Sequence, residues 1–330
     1  MRNPFITIIT PSYNQGNYLE ETILSVIHQE GVDFEYMVID GGSKDHSIDI
    51  IKKYETHFSF WCSEKDRGQS HAINKGIEKA KGDIIMWINS DDILLPGALK
   101  KIEEAFKQHP DALLVHGKSL LFGAKRKELE IGELKSDHHL RCLAYIPFPQ
   151  PGSAFSRKLI DQYGPLDESL HFGMDFELLV RAAIQRQVLS LPEILSKYRI
   201  HDNSKTNLHL KFAKDWQQVF SKVIQSIAPD HAMVTTLIRM GYLEKEKLYY
   251  RFSSEFTSEE ISKIIFYHLE IQFHYTYLYC NRKENQRIAE LIKTLFPDVF
   301  KKQFIKWYRR KQYIPGTLLI LFRKIKNVNA

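Results

Sequence analysis

Two adjacent carboxylates, Asp91 and Asp92, close the run Trp87-Ile88-Asn89-Ser90-Asp91-Asp92-Ile93-Leu94-Leu95-Pro96. The apolar stretch from Asp83 to Ile88 reads as a short strand, and Pro96 opens a helix over 97–108, so both acids stand at a strand's exit. Carboxylate oxygens placed there can ligate a hard divalent cation. They can equally be turn and cap residues before the helix. The pair alone does not decide between the two.

The elements that must position this pair come from the preceding residues. Residues 5–10 are a β-branched apolar run that ends in Thr10-Pro11-Ser12-Tyr13-Asn14, and a helix follows over 17–29 with Leu19, Ile23, Val26 and Ile27 on one face. Strands over Phe34–Ile39 and Phe58–Ser63 stop at Asp40-Gly41-Gly42-Ser43 and at Glu64 to Ser70, each before another helical stretch (45–54 and 70–80). Four such units in a row predict an α/β fold: a mostly parallel sheet with helices on both faces. Ligands bind at the carboxyl ends of such strands. Ser12, Tyr13, Asn14, Asp40, Asp66, Arg67, Asp91 and Asp92 gather there as one polar rim. A dinucleotide dehydrogenase would need G-x-G-x-x-G after the first strand, where this chain has Pro-Ser-Tyr-Asn-Gln-Gly, and no Walker-type loop is present.

Beyond residue 112 the pattern changes. Leu113–Leu121 reads as extended, with a basic loop at Lys125–Lys127. Pro147 to Gly152 must be a loop, and Ser153–Ser156 resumes the sheet. A helix opens at Phe172 and runs to Arg186, which places Asp175 in its first turn. There it either complements the helix dipole or serves as a base at the mouth of the site. Glu177, two residues on, points roughly 200° away around the helix, so the two cannot face one site.

With 330 residues, 43% of them hydrophobic, the chain can bury one large or two ordinary domains. Domains are expected at 1–205 and, as a helical module, at 206–330. Cys62, Cys142 and Cys280 are sparse and unpaired in spacing, which suits a reducing compartment. No signal peptide or membrane-spanning run is seen, so a cytoplasmic protein is expected, soluble or peripheral on the membrane's inner face. The formal charge of +6 hides an asymmetry: residues 206–330 carry 21 basic against 11 acidic residues, whereas residues 1–205 carry 25 against 29. After Asp298 nine residues are basic and none acidic. Residues 300–326 interleave aromatic and basic side chains. That pattern suits either an in-plane helix on an anionic membrane or a packed helix with a basic outer face. Nucleic acid is not expected, since no recognised nucleic-acid module accompanies the charge.

The rim residues together resemble glycosyltransferase family 2, the inverting sugar transferases with a GT-A fold, over residues 4–205. The likeness rests on six segments in order: Ile9 to Asn14, Val38 to Ser43, Asp66 to Gly76, Gly82 to Asp92, Gly173 to Arg181 and Tyr198 to His201. It implies a nucleoside-diphosphate sugar (with UDP the first expectation) as donor and a saccharide or lipid-linked saccharide as acceptor, in lipopolysaccharide, capsule or exopolysaccharide assembly. Pro11, Ser12, Tyr13, Asn14, Asp40, Asp66, Arg67, Asn74, Asn89, Ser90 and Asp91 would line the nucleotide. Asp91, Asp92 and His201 would hold Mn2+ or Mg2+, and Asp175 would be the general base. Gln150, Gly152, Ser153 and Glu177 would lie near acceptor and donor sugar. Asn89 stands where many relatives have an acid, and His71 where relatives often carry Asp. Two alternatives remain: a catalytically silent scaffold of the same fold, and a nucleotidyltransferase. The latter would need a basic loop after the first strand, and Pro11–Gly16 has no Lys or Arg.

Overall fold

The computed structural model describes residues 5–123, 127–132, 135–201, 204–205, 209–245, 249–278 and 281–304. Four apolar runs form β1 (Ile6–Ser12), β2 (Phe34–Asp40), β3 (Phe60–Ser63) and β4 (Ile84–Trp87). They are parallel to one another, in the order β3-β2-β1-β4. β1, β2 and β4 bury both faces, as parallel strands covered by helices must, and the edge strand β3 is half-buried. One face, with Ile6, Ile8, Val38, Ile84 and Met86, packs in a core with Leu19 and Ile23 of α1 (Gly16–Ile27) and Leu99 and Ile102 of α4 (Ala98–Gln108). On the other face Gly76 of α3 (Gln69–Lys79) lies against Ile9. The helix α2 (Ser47–Lys53) completes this half.

The sheet continues as a mixed half. Beyond β4 come β8 (Ser153–Ser156), β6 (Leu114–Phe122), β9 (Val188–Arg199) and the short β5 (Ile93–Leu94), with β7 (Leu129–Ile131) paired to β6. β8 is antiparallel to both β4 and β6, and β6 and β9 are parallel, with register shifts between His116 and Ser119. This half also carries α6 (Arg157–Tyr163) and α7 (Met174–Ala183). The expected α/β architecture is thus present, with antiparallel pairing added by β8 inside the sheet and by β5 and β7 beside β9 and β6.

Contacts divide the chain into two compact units: residues 1–138 with 147–204, and residues 139–146 with 205–330. The second unit is built from α8 (His209–Ile227), α9 (Ala232–Arg239), α10 (Ser258–Leu278) and α11 (Arg282–Leu295), around Trp216, Phe220, Val223, Ile264 and Phe273. Within it His268 is fully buried. Its Nδ1 lies 2.9 Å from the Ala144 carbonyl and its Nε2 3.0 Å from the Tyr242 hydroxyl, and its ring stacks on Phe220 at 3.7 Å. The Arg141 guanidinium covers the Tyr267 ring at 3.9 Å. These contacts hold 139–146, which carries most of the short α5 (His138–Arg141), to its own unit. Of the basic tail 300–326, only Phe300–Phe304 falls within the described residues, where Phe300 and Phe304 are buried.

Candidate active site

The turn after β4 separates its two acids. Asp92 is fully buried: its Oδ1 accepts the Arg199 backbone N–H (3.0 Å) and its Oδ2 accepts Asn89 Nδ2 (3.1 Å). Burial, then the neighbouring Asp91 charge, push its carboxyl well above the usual range. Asp91 faces the other way, and its Oδ2 meets His201 Nε2 at 3.0 Å. Of the three expected cation ligands, then, the structure brings together Asp91 and His201 and gives Asp92 to the interior. Among the described residues no group of three or more His, Cys, Asp or Glu side chains forms a metal cluster.

Arg199, to which the family resemblance assigns no role, organises this corner. Its Nε donates to the Asp91 carbonyl (2.8 Å), its NH2 group pairs with Glu21 of α1, and its guanidinium lies over the rings of Tyr18 (5.1 Å) and Phe122 (4.4 Å). Tyr18 also packs against the His201 ring at 4.6 Å. The available signal was position: Arg199 ends a strand two residues before His201, so both side chains leave the backbone on one side.

The loops after β1 and β2 are locked to each other. Asn14 adopts a left-handed φ of 52°, donates its N–H to Ser43 Oγ (2.7 Å) and accepts the Lys44 N–H on Oδ1 (2.8 Å). Asp40, expected to meet a base, instead holds its own loop. It accepts the N–H groups of Gly42 and Ser43 and the hydroxyls of Ser43 and Ser63 at 2.5–3.0 Å, and it is fully buried. What the rim leaves available is Ser12 and Tyr13. Ser12 Oγ is buried with no hydrogen-bond partner among the described residues, and the Tyr13 ring is 59% exposed. Asp66 takes up room beside them. A Cβ on Gly41 would stand 2.5 Å from its Oδ2, so a side chain at 41 would displace this carboxylate. Its Oδ1 accepts the N–H of Gly68, whose φ of +124° disfavours any other residue.

From the far side the segment 164–173 crosses to the 66–74 stretch. Arg67 pairs with Glu168 (2.8 Å), and Asn74 both donates to and accepts from the Leu166 backbone (3.0 and 2.9 Å). Asn74 therefore holds this segment and does not face the cleft as expected. Glu177 differs from expectation in the same way. It is buried against Arg181 (3.0 and 2.7 Å), whose NH1 and NH2 groups donate to the carbonyls of Gly164 and Pro165. Asp175, on the opposite side of that helical turn, is half-buried, with Oδ1 accepting the Phe176 N–H. Its neighbour Met174 accepts the Ser70 hydroxyl on Sδ, which joins the start of α7 to that of α3. The last contribution is the Gln150–Gly152 turn, with Ser153 Oγ donating to the Gln150 carbonyl (2.7 Å) and Ser153 buried. Gln150 Nε2 donates to the Trp87 carbonyl (2.9 Å), which seats this turn on β4 next to Asn89. Ser90 is buried inside the turn.

A rim of this kind on a sheet of this topology matches known proteins. The sequence model of glycosyl transferase family 2 fits residues 7–163. Residues 7–163 are a family 2 glycosyltransferase domain. An uncharacterized glycosyltransferase of Rickettsia typhi is 27% identical over 245 residues, covering 68% of this chain and 73% of the relative. A Bacillus subtilis glycosyltransferase named for teichuronic acid biosynthesis is 32% identical over 121 residues, covering 36% of this chain and 48% of the relative. Among solved structures, Staphylococcus aureus TarS residues 1–349 in complex with UDP-GlcNAc superposes with a TM-score of 0.62 at 14% identity, over 88% of this chain and 80% of that one. A mannosyltransferase of Pyrobaculum calidifontis in complex with GDP-Man and Mn2+ gives 0.58 at 15%, over 99% and 88%. At such identities these structures speak for the fold of the glycosyltransferase, which is the expected GT-A arrangement.

Proposed function

We propose that residues 1–205 transfer a sugar, with inversion, from a nucleoside-diphosphate sugar to an acceptor hydroxyl. The observation that carries this reading is the Asp91–His201 contact at the head of the rim. A carboxylate oxygen suits Mn2+ or Mg2+, and such ions are commonly held by one or two carboxylates with substrate phosphates filling the remaining positions; the His201 nitrogen would add a ligand better matched to Mn2+ than to Mg2+. When bound, the cation would neutralise charge gathering on the departing diphosphate. Tyr13 offers a face for a base to stack on, and the unpartnered Ser12 hydroxyl offers a hydrogen bond. UDP is the first choice of nucleotide, since the TarS complex carries a UDP-sugar; that neighbour supports the choice only by fold.

Asp175 is the base of this reading. It takes the acceptor hydroxyl's proton as that oxygen attacks the anomeric carbon from the face opposite the diphosphate, in one displacement. The glycosidic C–O bond forms while the bond to the diphosphate breaks, and the electron pair leaves with the diphosphate. Glu177 is committed to Arg181, which leaves Asp175 as the acid of this turn for the role. Gln150, Gly152 and Ser153 would border the acceptor. The setting is bacterial surface-polysaccharide assembly, a reading supported by the relative named for teichuronic acid biosynthesis. Residues 206–330 would serve as a basic helical extension that brings the enzyme to the inner face of the cell membrane through 300–326. Among the described residues no helix is long and apolar enough to cross a membrane.

The direct test is titration with UDP and GDP, with and without MnCl2, followed by calorimetry. Cation-dependent binding of either nucleotide is expected, and binding unchanged by EDTA would remove the metal from the reading. For the tail, full-length protein should sediment with phosphatidylserine vesicles and protein ending at Asp298 should not. Equal sedimentation would refute membrane docking.

A further inference from the structure

Three polar side chains, those of Gln69, Asp92 and Gln150, meet at Asn89, and the directions of the bonds are fixed by their neighbours. Gln150 points its Nε2 at the Trp87 carbonyl, which can only accept, so its Oε1 turns toward Asn89. Asp92 offers a second oxygen to Asn89, its other oxygen being taken by the Arg199 N–H. Asn89 must therefore present its amide N–H groups to two acceptors, Asp92 Oδ2 at 3.1 Å and Gln150 Oε1 at 3.4 Å. Its Oδ1 then receives Gln69 Nε2 at 2.7 Å. Only a group that both donates and accepts can fill this place. A carboxylate of the same shape would set oxygen against oxygen twice, beside the fully buried Asp92.

We propose that Asn89 is a positioning residue whose amide ties the start of α3, the Asp91 turn and the Gln150–Gly152 turn into one unit. The side chains of Gln69 and Gln150 come from stretches 81 residues apart, and Asn89 contacts both. Displacement on one side of the cleft is passed to the other through this amide. Asn89 then acts on transfer without touching the reacting atoms. The inference rests on the nucleotide-and-cation reading above, and the experiment separates the two.

The probe is UDP or GDP, whichever the unaltered full-length protein binds, titrated in MnCl2. If it binds neither, the nucleotide reading itself fails. Given binding, Asn89→Asp should weaken it about tenfold and more than Asn89→Ala does, because it keeps the volume but adds facing acceptors. A role in filling space alone gives the reverse order, and that order would overturn the proposal. Because an added buried charge can unfold the turn, a second measurement uses milder changes. Gln69→Ala, Gln150→Ala and the double variant form a cycle between side chains joined through Asn89. Their losses should fail to multiply by about threefold. Strictly multiplicative losses would show that the amide passes nothing between the two sides.

Discussion

The two halves of the sheet hold their polar residues in different ways. At the ends of β1–β3 the acids are tied down close to home. Asp40 is held by Gly42, Ser43 and Ser63, and Asp45 by Ser47 and the start of α1. In the mixed half the partners come from far along the chain, with Arg199 reaching Asp92 over 107 residues and His201 reaching Asp91 over 110. The first arrangement shares each group among several bonds. The second joins segments far apart in the chain, and its contacts surround the proposed cation site.

The sharpest way to test that contrast is Asp175→Asn. Transfer measured in single turnover should fall by about 10²–10⁴-fold while nucleotide affinity holds. An equal fall in affinity would make Asp175 a donor-binding group. Next in size is Arg181→Met, which strands the buried Glu177 charge. Urea unfolding at pH 7 should show a loss of about 3–5 kcal/mol. A value near zero would break the claim that Arg181 offsets the buried Glu177 charge.

Acid should act on the mixed half through His116. This ring is fully buried, 2.8 Å from His138 Nε2 and from Ser190 Oγ, and stacked on Phe148. Burial, then His138, lower its pKa from 6.5 to about 3. The unfolded chain therefore takes up a proton between these values that the folded chain refuses. This part of the stability is whole above pH 6.5 and declines as pH falls toward 3. From pH 7 to 5 the loss is about 2 kcal/mol, and His116→Gln should flatten that slope. His268 contributes a slope of the same sign in the helical unit, so the variant is compared with the unaltered chain at both pH values. Smaller still, Arg199→Leu should weaken cation-dependent nucleotide binding about tenfold, by loosening the turn that carries Asp91. Ser63→Ala should cost about 1 kcal/mol or less, since Asp40 keeps three other donors.

The same contrast explains what could be read from the sequence. β1–β4 and their helices were legible because each βα unit is local: an apolar run, polar residues at its exit, then a helical period. The GT-A resemblance drew its force from that order. Partners were not legible where pairing crosses 61 or 107 residues. Nothing near Asn89 announces Gln150, and nothing near Asp92 announces Arg199. Glu177 is the exception that had a local signal, since Arg181 stands four residues on, at the spacing of a helical ion pair. Asp40 and Asn74 show another limit. Residue type says that a group can bond, whereas the fold decides whether its bonds are already spent.

The placement of residues 139–146 with the helical unit has a consequence in time. Ala144 leaves the ribosome 124 residues before His268, the ring that receives its carbonyl. At synthesis rates of roughly 5–20 residues per second that is a wait on the order of ten seconds. During it Leu140, Cys142 and Leu143, all buried in the finished protein, have no helices to rest against. The first unit can close its sheet around the gap, but this stretch must stay unclaimed until α10 is made. A nascent chain halted before α10 is complete therefore carries this stretch uncovered and open to chaperone capture or aggregation.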